Sequence, residues 1–127
     1  RAPTDAQRDA MVTDVLNELA KIAQRRGLRY TIEESMRAAA APSAPALQHH
    51  WERAVDALGV PVFRMPSGAG HDAMKLHEIM PQAMLFTRGQ NSGISHNPLE
   101  STTNNDIQLT VDAFTQVLHQ LAEETQP

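Results

Sequence analysis

The segment AAAAPSAP at residues 38–45 constrains the fold of this chain more than any other feature. Proline has no backbone N–H to donate and its ring fixes one backbone dihedral, so neither a long helix nor a central strand continues through the two prolines. The small side chains around them offer little surface for packing. We therefore predict a hinge or domain boundary over residues 39–45, which separates residues 1–38 from residues 46–127.

The first part of the chain has the pattern of a helix followed by a strand. Apolar residues recur at helical intervals over residues 5–26, and Thr4 and Gln7 have the spacing of a capping box. Gly27 suits a left-handed cap at the end of this helix. Residues 28–34, LRYTIEE, then alternate apolar and polar side chains, which predicts a half-buried strand.

The second part alternates helices with short apolar segments. One helical face precedes Gly59, and its members are Leu47, Trp51, Ala54, Val55 and Leu58. Short buried strands are predicted at residues 60–65 and 83–87, with a helix at residues 71–79 between them.

A long polar loop is predicted at residues 88–101, followed by a last helix from about Asp106. Thr103 or Asn104 is suited to cap this helix. The apolar residues of its core-facing side are Ile107, Val111, Phe114, Val117, Leu118 and Leu121. Taken together, the order of helices and strands predicts an α/β fold.

Composition and charge argue against several classes of partner. The net charge of −4 has no long block of one sign, so we expect neither nucleic acid nor an anionic membrane as a partner. No apolar run approaches the ~20 residues that a membrane-spanning helix needs. The absence of cysteine leaves His, Asp and Glu as metal ligands and favours a cytoplasmic enzyme. Because the chain begins with arginine and not methionine, we expect it to be part of a longer protein.

The first motif with chemical potential is SGAGHDA, residues 67–73. A Gly-x-Gly turn between a strand and a helix lets a ligand approach the backbone closely. Its spacing does not match a dinucleotide or nucleotide triphosphate fingerprint. From these residues alone, two interpretations of His71 stay open, a functional role or a local hydrogen bond in a loop.

The second motif is GISHNP, residues 93–98, in the polar loop after a predicted strand. Loops at the carboxyl ends of strands commonly carry sites in α/β sheets, and a neutral imidazole at His96 can ligate zinc or manganese. Asp72 and Glu100 can serve as general bases, or they can cap a helix or orient a neighbour. Solvent exposure or helix packing explains the remaining histidines, His49, His50, His77 and His119.

Two longer segments, MPSGAGHDAM at residues 65–74 and SGISHNPLEST at residues 92–102, carry a resemblance to a known family. Together they resemble metal-dependent amidases of the hydantoinase and carbamoylase type. This family includes N-carbamoyl-L-amino acid hydrolases, allantoate amidohydrolases and β-ureidopropionases, within the dinuclear zinc aminoacylase and carboxypeptidase superfamily. The opening RAPTDAQRDA also resembles the end of the family's Asp-x-Arg strand and the helix after it.

The resemblance implies that this chain is the C-terminal part of a longer enzyme. Residues 1–38 would be the last helix and strand of a ferredoxin-like lid, or dimerisation, domain. Residues 46–127 would be the C-terminal part of a zinc-exopeptidase-like catalytic α/β domain, with residues 39–45 as the hinge. The resemblance also implies a homodimer formed through the lid.

Matched residue by residue, the resemblance also implies roles for four positions. His96 would be a metal ligand, and His71, with Gly70, would contact the substrate. Arg1 would hold the substrate carboxylate, a task that suits a bidentate guanidinium. The two divalent ions would be zinc, or manganese, cobalt or nickel, and the catalytic glutamate and other ligands would precede Arg1. The isolated chain is therefore expected to be inactive and to bind metal weakly.

Three functions remain in competition at this point. The leading one is hydrolysis of an N-carbamoyl-L-amino acid or a related ureido acid, such as allantoate or β-ureidopropionate. The second is an aminoacylase or dipeptidase activity of the same superfamily on an N-acyl amino acid or a peptide. The third is a fragment without catalytic function that supports oligomerisation.

Overall fold

The structure of this chain, a computed structural model, describes residues 2–124. Within that range it contains four α-helices and one 3-10 turn, and no β-strand. The helices are α1 (Asp5–Arg26), α2 (Pro45–Ala57), α3 (Ala73–Leu76) and α4 (Asn104–Glu124), and the 3-10 turn is Asn91–Gly93. The predicted α/β arrangement, including the strand of a ferredoxin-like lid, is therefore not confirmed.

The described residues fall into two compact units. Unit 1 comprises residues 2–42 and 65–78, and unit 2 comprises residues 43–64 and 79–124. The first change from one unit to the other, after Pro42, lies inside the segment predicted as a hinge. The assignment of residues 1–38 and 46–127 to different domains stays a prediction.

Helix α1 of unit 1 begins and ends where its local sequence predicts. The Thr4 hydroxyl accepts a hydrogen bond from the backbone N–H of Gln7 at 3.2 Å, as in a capping box. Gly27 has φ +62°, and the backbone N–H of Leu28 donates to the carbonyl of Ala23 at 2.9 Å. Both ends are closed by contacts within a few residues, which is why sequence spacing is enough to place them.

The start of the proline-rich segment is tied to the first turns of α1. The guanidinium of Arg8 donates to the carbonyl of Ala38 at 2.6 Å, and the N–H of Ala40 donates to the Asp5 carboxylate at 2.8 Å. Arg37 forms an ion pair with Asp9 at 3.0 Å. The contacts of Arg8 and Asp5 satisfy two backbone groups of the irregular segment, whereas the Arg37–Asp9 pair joins side chains only.

The strand predicted at residues 28–34 does not form. The three apolar side chains of its alternating pattern, Leu28, Tyr30 and Ile32, are all exposed. A strand is stabilised by hydrogen bonds to a neighbouring strand, and alternation predicts only which side chains share a face. The alternation at residues 28–34 was therefore insufficient to predict a strand.

Unit 2 is built on the packing of α2 against α4. Ala54, Ala113 and Val117 form its buried centre, with exposed fractions of 0%, 2% and 6%. Trp51 of α2 lies 5.5 Å from Phe114 of α4 between ring centroids, in a tilted arrangement. The partly buried apolar residues around this centre are Trp51, Val55, Leu58, Leu85 and Leu121.

Two further strand predictions, at residues 60–65 and 83–87, also fail within the described part of the chain. Phe63 is 80% exposed and Phe86 is exposed as well, so these apolar segments lack the burial that their sequence predicts. Leu85 differs because it packs against the α2 and α4 core.

Helix α3 is a single turn and not the helix predicted at residues 71–79. Residues 77–79 are turns, and Pro81 follows shortly after them. Proline disfavours the helical conformation at the residue before it, here Met80. The last helix, by contrast, begins two residues earlier than predicted, at Asn104. None of the helices within residues 2–124 has the length and apolar character to cross a membrane.

Candidate functional site

The SGAGHDA segment lies in unit 1 and leads directly into α3. The His71 side chain folds back on its own loop, because its Nδ1 accepts a hydrogen bond from the backbone N–H of Ala73 at 3.2 Å. The His71 carbonyl accepts from the N–H of Met74 at 2.9 Å. The Asp72 side chain does not cap α3, although its carbonyl accepts from the N–H of Lys75 at 2.8 Å. His71 therefore supplies both acceptors for the first two amides of the helix.

The outer side of this loop is open. His71 and Gly70 are both exposed, and His71 Nε2 has no hydrogen-bond partner among residues 2–124. A Cβ added to Gly70 would meet only the sulfur of Met74, at an ordinary contact distance of 3.7 Å. The loop thus presents one imidazole nitrogen without a hydrogen bond, Nε2 of His71, next to the open backbone of Gly70.

The GISHNP segment lies in unit 2, and its backbone conformation at His96 is unusual. His96 has φ +55°, a left-handed conformation that few residues other than glycine adopt. Its N–H donates to the Glu100 carboxylate at 2.8 Å, while the N–H of Glu100 donates to the carbonyl of Asn97 at 2.9 Å. The Asn97 side chain accepts from the N–H of Leu99 at 3.0 Å. These local bonds hold the His96 backbone in its left-handed conformation.

The base of the His96 loop is closed by further hydrogen bonds. Gln90 and Ser101 face each other, with the Gln90 N–H donating to the Ser101 carbonyl at 2.8 Å and the Ser101 hydroxyl donating to the Gln90 side chain at 3.0 Å. The Asn91 side chain donates to the carbonyl of Leu99 at 2.7 Å. Residues 90–101 therefore form a closed loop with His96 exposed near its tip.

An ion pair and a helix cap fix this loop to α4. Arg88 donates to one oxygen of the Asp106 carboxylate, through Nε at 2.7 Å and Nη2 at 2.6 Å. The Thr103 hydroxyl donates to the other oxygen at 2.6 Å and accepts from the N–H of Asp106 at 3.0 Å. The hydrogen bond from Thr103 and the positive charge of Arg88 lower the pKa of Asp106 below its usual 3.8. Thr103, one of the two caps predicted, is confirmed.

The predicted site residues within the described range fall in both units. Gly70 and His71 share one loop of unit 1, whereas His96 belongs to unit 2. Arg1, the predicted carboxylate ligand, lies outside the described residues. The roles assigned to these four positions stay predictions.

The described residues do not fit a metal centre on their own. Between residues 2 and 124, no group of three or more His, Asp or Glu side chains is placed to hold one ion. His96 has an imidazole with no hydrogen bond to either ring nitrogen in that range, and such a group can supply one ligand. A dinuclear centre needs several more, so this set of donors is incomplete.

A polar cluster at the other end of unit 2 was not predicted from the sequence. His50 is 5% exposed, with Nδ1 at 2.9 Å from the Gln120 oxygen and Nε2 at 3.3 Å from the Glu124 carboxylate. Arg53 lies 2.8 Å from the same Nδ1. The spacing of His50 and Ala54, four residues apart on the buried face of α2, was the available signal. Helix packing, one of the two explanations offered for this histidine, is confirmed.

The chain is similar to proteins of known families along most of its length. The sequence model of the family described as Peptidase family M20/M25/M40 matches residues 2–120. A relative from Geobacillus stearothermophilus, named N-carbamoyl-L-amino acid amidohydrolase, is 36% identical over 102 residues, which are 80% of this chain and 25% of the relative. No solved structure matches this chain.

Two other relatives extend this similarity. The N-carbamoyl-L-amino-acid amidohydrolase of Pseudomonas sp. (strain NS671) is 34% identical over 101 residues, covering 80% of this chain and 24% of the relative. The allantoate amidohydrolase of Bacillus subtilis is 34% identical over 110 residues, covering 86% of this chain and 26% of the relative. This chain spans about a quarter of the length of these curated relatives.

Proposed function

Because this chain belongs to the family described as Peptidase family M20/M25/M40, we propose that it is part of an amidohydrolase. The substrate is an N-carbamoyl-L-amino acid or a related ureido acid, such as allantoate or β-ureidopropionate, and the bond cleaved is an amide C–N bond. One observation carries the proposal: relatives named for carbamoyl amino acids and for allantoate align with 80% or more of this chain.

His71 and the adjacent Gly70 are among the residues of this chain that contact the substrate. His71 Nε2 is unused among the described residues and the Gly70 backbone beside it is open, so a small polar ligand has access to both. Arg1 binds the substrate carboxylate, a role implied by the resemblance of the opening segment RAPTDAQRDA to the end of the family's Asp-x-Arg strand.

His96 provides one imidazole ligand to a dinuclear centre of zinc, manganese, cobalt or nickel. Two features support this role. The ring is exposed, and hydrogen bonds hold the backbone that carries it, so the backbone of His96 loses less conformational entropy when the ring binds a metal. The remaining ligands and the catalytic glutamate come from outside residues 2–124. A cytoplasmic homodimer formed through a lid domain completes the proposal.

A substrate panel on the complete protein tests the activity. N-carbamoyl-L-amino acids, allantoate and β-ureidopropionate are compared with N-acetyl amino acids and dipeptides at equal concentration. The proposal predicts ammonia release from the ureido substrates and little turnover of the others. Turnover confined to acetyl amino acids or dipeptides would replace it with the aminoacylase or dipeptidase alternative, which the peptidase description of the family favours.

The third candidate, an interaction fragment without chemistry, has its own support in exposed apolar side chains. Phe63 and Ile79 are each 80% exposed, and Met11 and Val15 of α1 are exposed as well. Such surface is typical of contacts with other protein. No turnover of any panel member by the complete protein, combined with stable self-association, would favour this candidate over the amidohydrolase.

A further inference from the structure

The ring of His71 is held by a single backbone group, the amide of Ala73. That amide donates its hydrogen to Nδ1 at 3.2 Å, so Nδ1 provides the lone pair. A neutral imidazole with a lone pair on Nδ1 has its only hydrogen on Nε2. We propose that the Ala73 amide fixes His71 as the Nε2–H tautomer, which makes His71 a hydrogen-bond donor to the substrate and not a base.

The Ala73 amide is available for this task because of its place in α3. It is the first residue of the helix, and the first amides of a helix have no acceptor within it. Ala73 is also 8% exposed, so water gives its N–H little compensation. The Asp72 side chain, the usual kind of helix cap, makes no capping hydrogen bond. The imidazole is therefore the acceptor that satisfies this amide.

The remaining ring nitrogen determines which substrate atom His71 recognises. Nε2 is the unused nitrogen of an exposed side chain, and in this tautomer it donates. A donor pairs with the carbonyl oxygen of a ureido group, on which negative charge develops when the carbonyl is attacked. It does not pair with the N–H groups of the same ureido unit, which are donors themselves. His71 thus selects the oxygen end of the ureido group, and the Ala73 amide is a positioning group that acts through it.

This inference rests on the proposed function for its substrate, but the tautomer can be measured without one. Nitrogen-15 NMR of the His71 ring in the complete protein should show Nε2 protonated and Nδ1 unprotonated, with a coupling across the hydrogen bond to the Ala73 nitrogen. His77 in the same unit makes no ring hydrogen bond among residues 2–124 and is the internal control, expected to show a mixture of tautomers. Protonation of His71 at Nδ1, or a mixture like that of His77, would overturn the inference.

Two substitutions of His71 in the complete protein separate the donor from the loop contact. His71→Asn keeps an acceptor close to the Nδ1 position, which can still cap the Ala73 amide, but it loses the distal donor. His71→Gln keeps a donor near the Nε2 position and loses the cap. We expect kcat/KM on the best ureido substrate to fall about 10²–10³-fold for His71→Asn, as for the loss of one oxyanion donor. His71→Gln should retain clearly more activity.

Equal or better activity for His71→Asn than for His71→Gln would overturn the donor assignment, because the loop contact alone would then account for the role of His71. Hydrogen exchange at the Ala73 amide shows whether each variant keeps the loop closed, with protection expected in His71→Asn. If the wild-type protein turns over no ureido substrate, the proposed function fails, and the NMR result still decides the tautomer by itself.

Discussion

Thr103→Ala is expected to loosen the junction between the His96 loop and α4. The Thr103 hydroxyl accepts from the Asp106 N–H at 3.0 Å and donates to the Asp106 carboxylate at 2.6 Å. The methyl group of alanine makes neither bond. The Arg88 guanidinium still contacts the carboxylate, so the ion pair remains while the helix cap is lost.

The size of the effect follows from the cap. Replacing a threonine N-cap by alanine costs about 1 kcal/mol of stability, within a range of about 0.5–2 kcal/mol. Loss of the hydrogen bond from the Thr103 hydroxyl to the Asp106 carboxylate lowers the stability further, since the carboxylate then has one partner instead of two. We therefore expect the free energy of unfolding of unit 2 to fall by at least about 1 kcal/mol.

Trp51 provides the assay, because it is the only tryptophan and its ring contacts Phe114 of α4. Urea unfolding followed by its fluorescence should give a lower midpoint for Thr103→Ala with an unchanged slope. Thr103→Ser is the matched control that keeps the hydroxyl and should lie close to the wild type. A Thr103→Ala protein within about 0.5 kcal/mol of the wild type would refute the argument that Thr103 caps α4.

Three further outcomes are expected. Val117→Ala removes two buried methyl groups and should lower the free energy of unfolding, measured in urea, by about 1.5–2 kcal/mol. Leu118→Ala, at the neighbouring residue that is 55% exposed, is the control and should lower it by about 0.5 kcal/mol or less. The pKa of Asp106 is lower in the folded than in the unfolded chain, so the ionised carboxylate stabilises the fold above the unfolded pKa. This stabilisation is lost as the pH falls through the folded pKa. In Asp106→Asn, the free energy of unfolding should therefore decrease less steeply below about pH 4 than in the wild type. The 127-residue chain alone should bind zinc weakly in calorimetry and hydrolyse no ureido substrate, because residues 2–124 contain no group of three side chains placed to hold one metal ion. Tight zinc binding or full activity of this chain would contradict the prediction.

The helices were predictable because their signals are local. Thr4, Gln7 and Gly27 mark the two ends of α1 by contacts that span at most a few residues. Thr103 and Asp106 mark the start of α4 in the same way, and their three-residue spacing was visible in the sequence. Only α3 fell short of its predicted length, in a segment that ends close to Pro81.

The strands were not predictable because a strand depends on its partner. Residues 28–34, 60–65 and 83–87 have the apolar content of strands, yet each lies outside any ladder within the described residues. Phe63 is the clearest case, since a residue of its size at a predicted buried position is 80% exposed. Apolar pattern predicts which residues favour burial, and it does not supply the neighbouring strand that provides it.

The sequence motifs identified the residues of the candidate site but did not predict its geometry. The sequence singled out His71 and His96, while the hydrogen bond from Ala73 to His71 and the left-handed backbone of His96 depend on how each loop folds. The bond from the His96 amide to Glu100 gives this carboxylate the orienting role that was one of its two predicted alternatives.

The metal content of the complete protein tests the central claim most directly. His96→Ala is compared with His49→Ala, which replaces an exposed histidine of α2, by elemental analysis and by turnover of an N-carbamoyl-L-amino acid. The account predicts that His96→Ala loses bound metal and most of its turnover, while His49→Ala keeps both. Wild-type metal content and wild-type turnover in His96→Ala would contradict the claim that this chain contributes a ligand to an amidohydrolase.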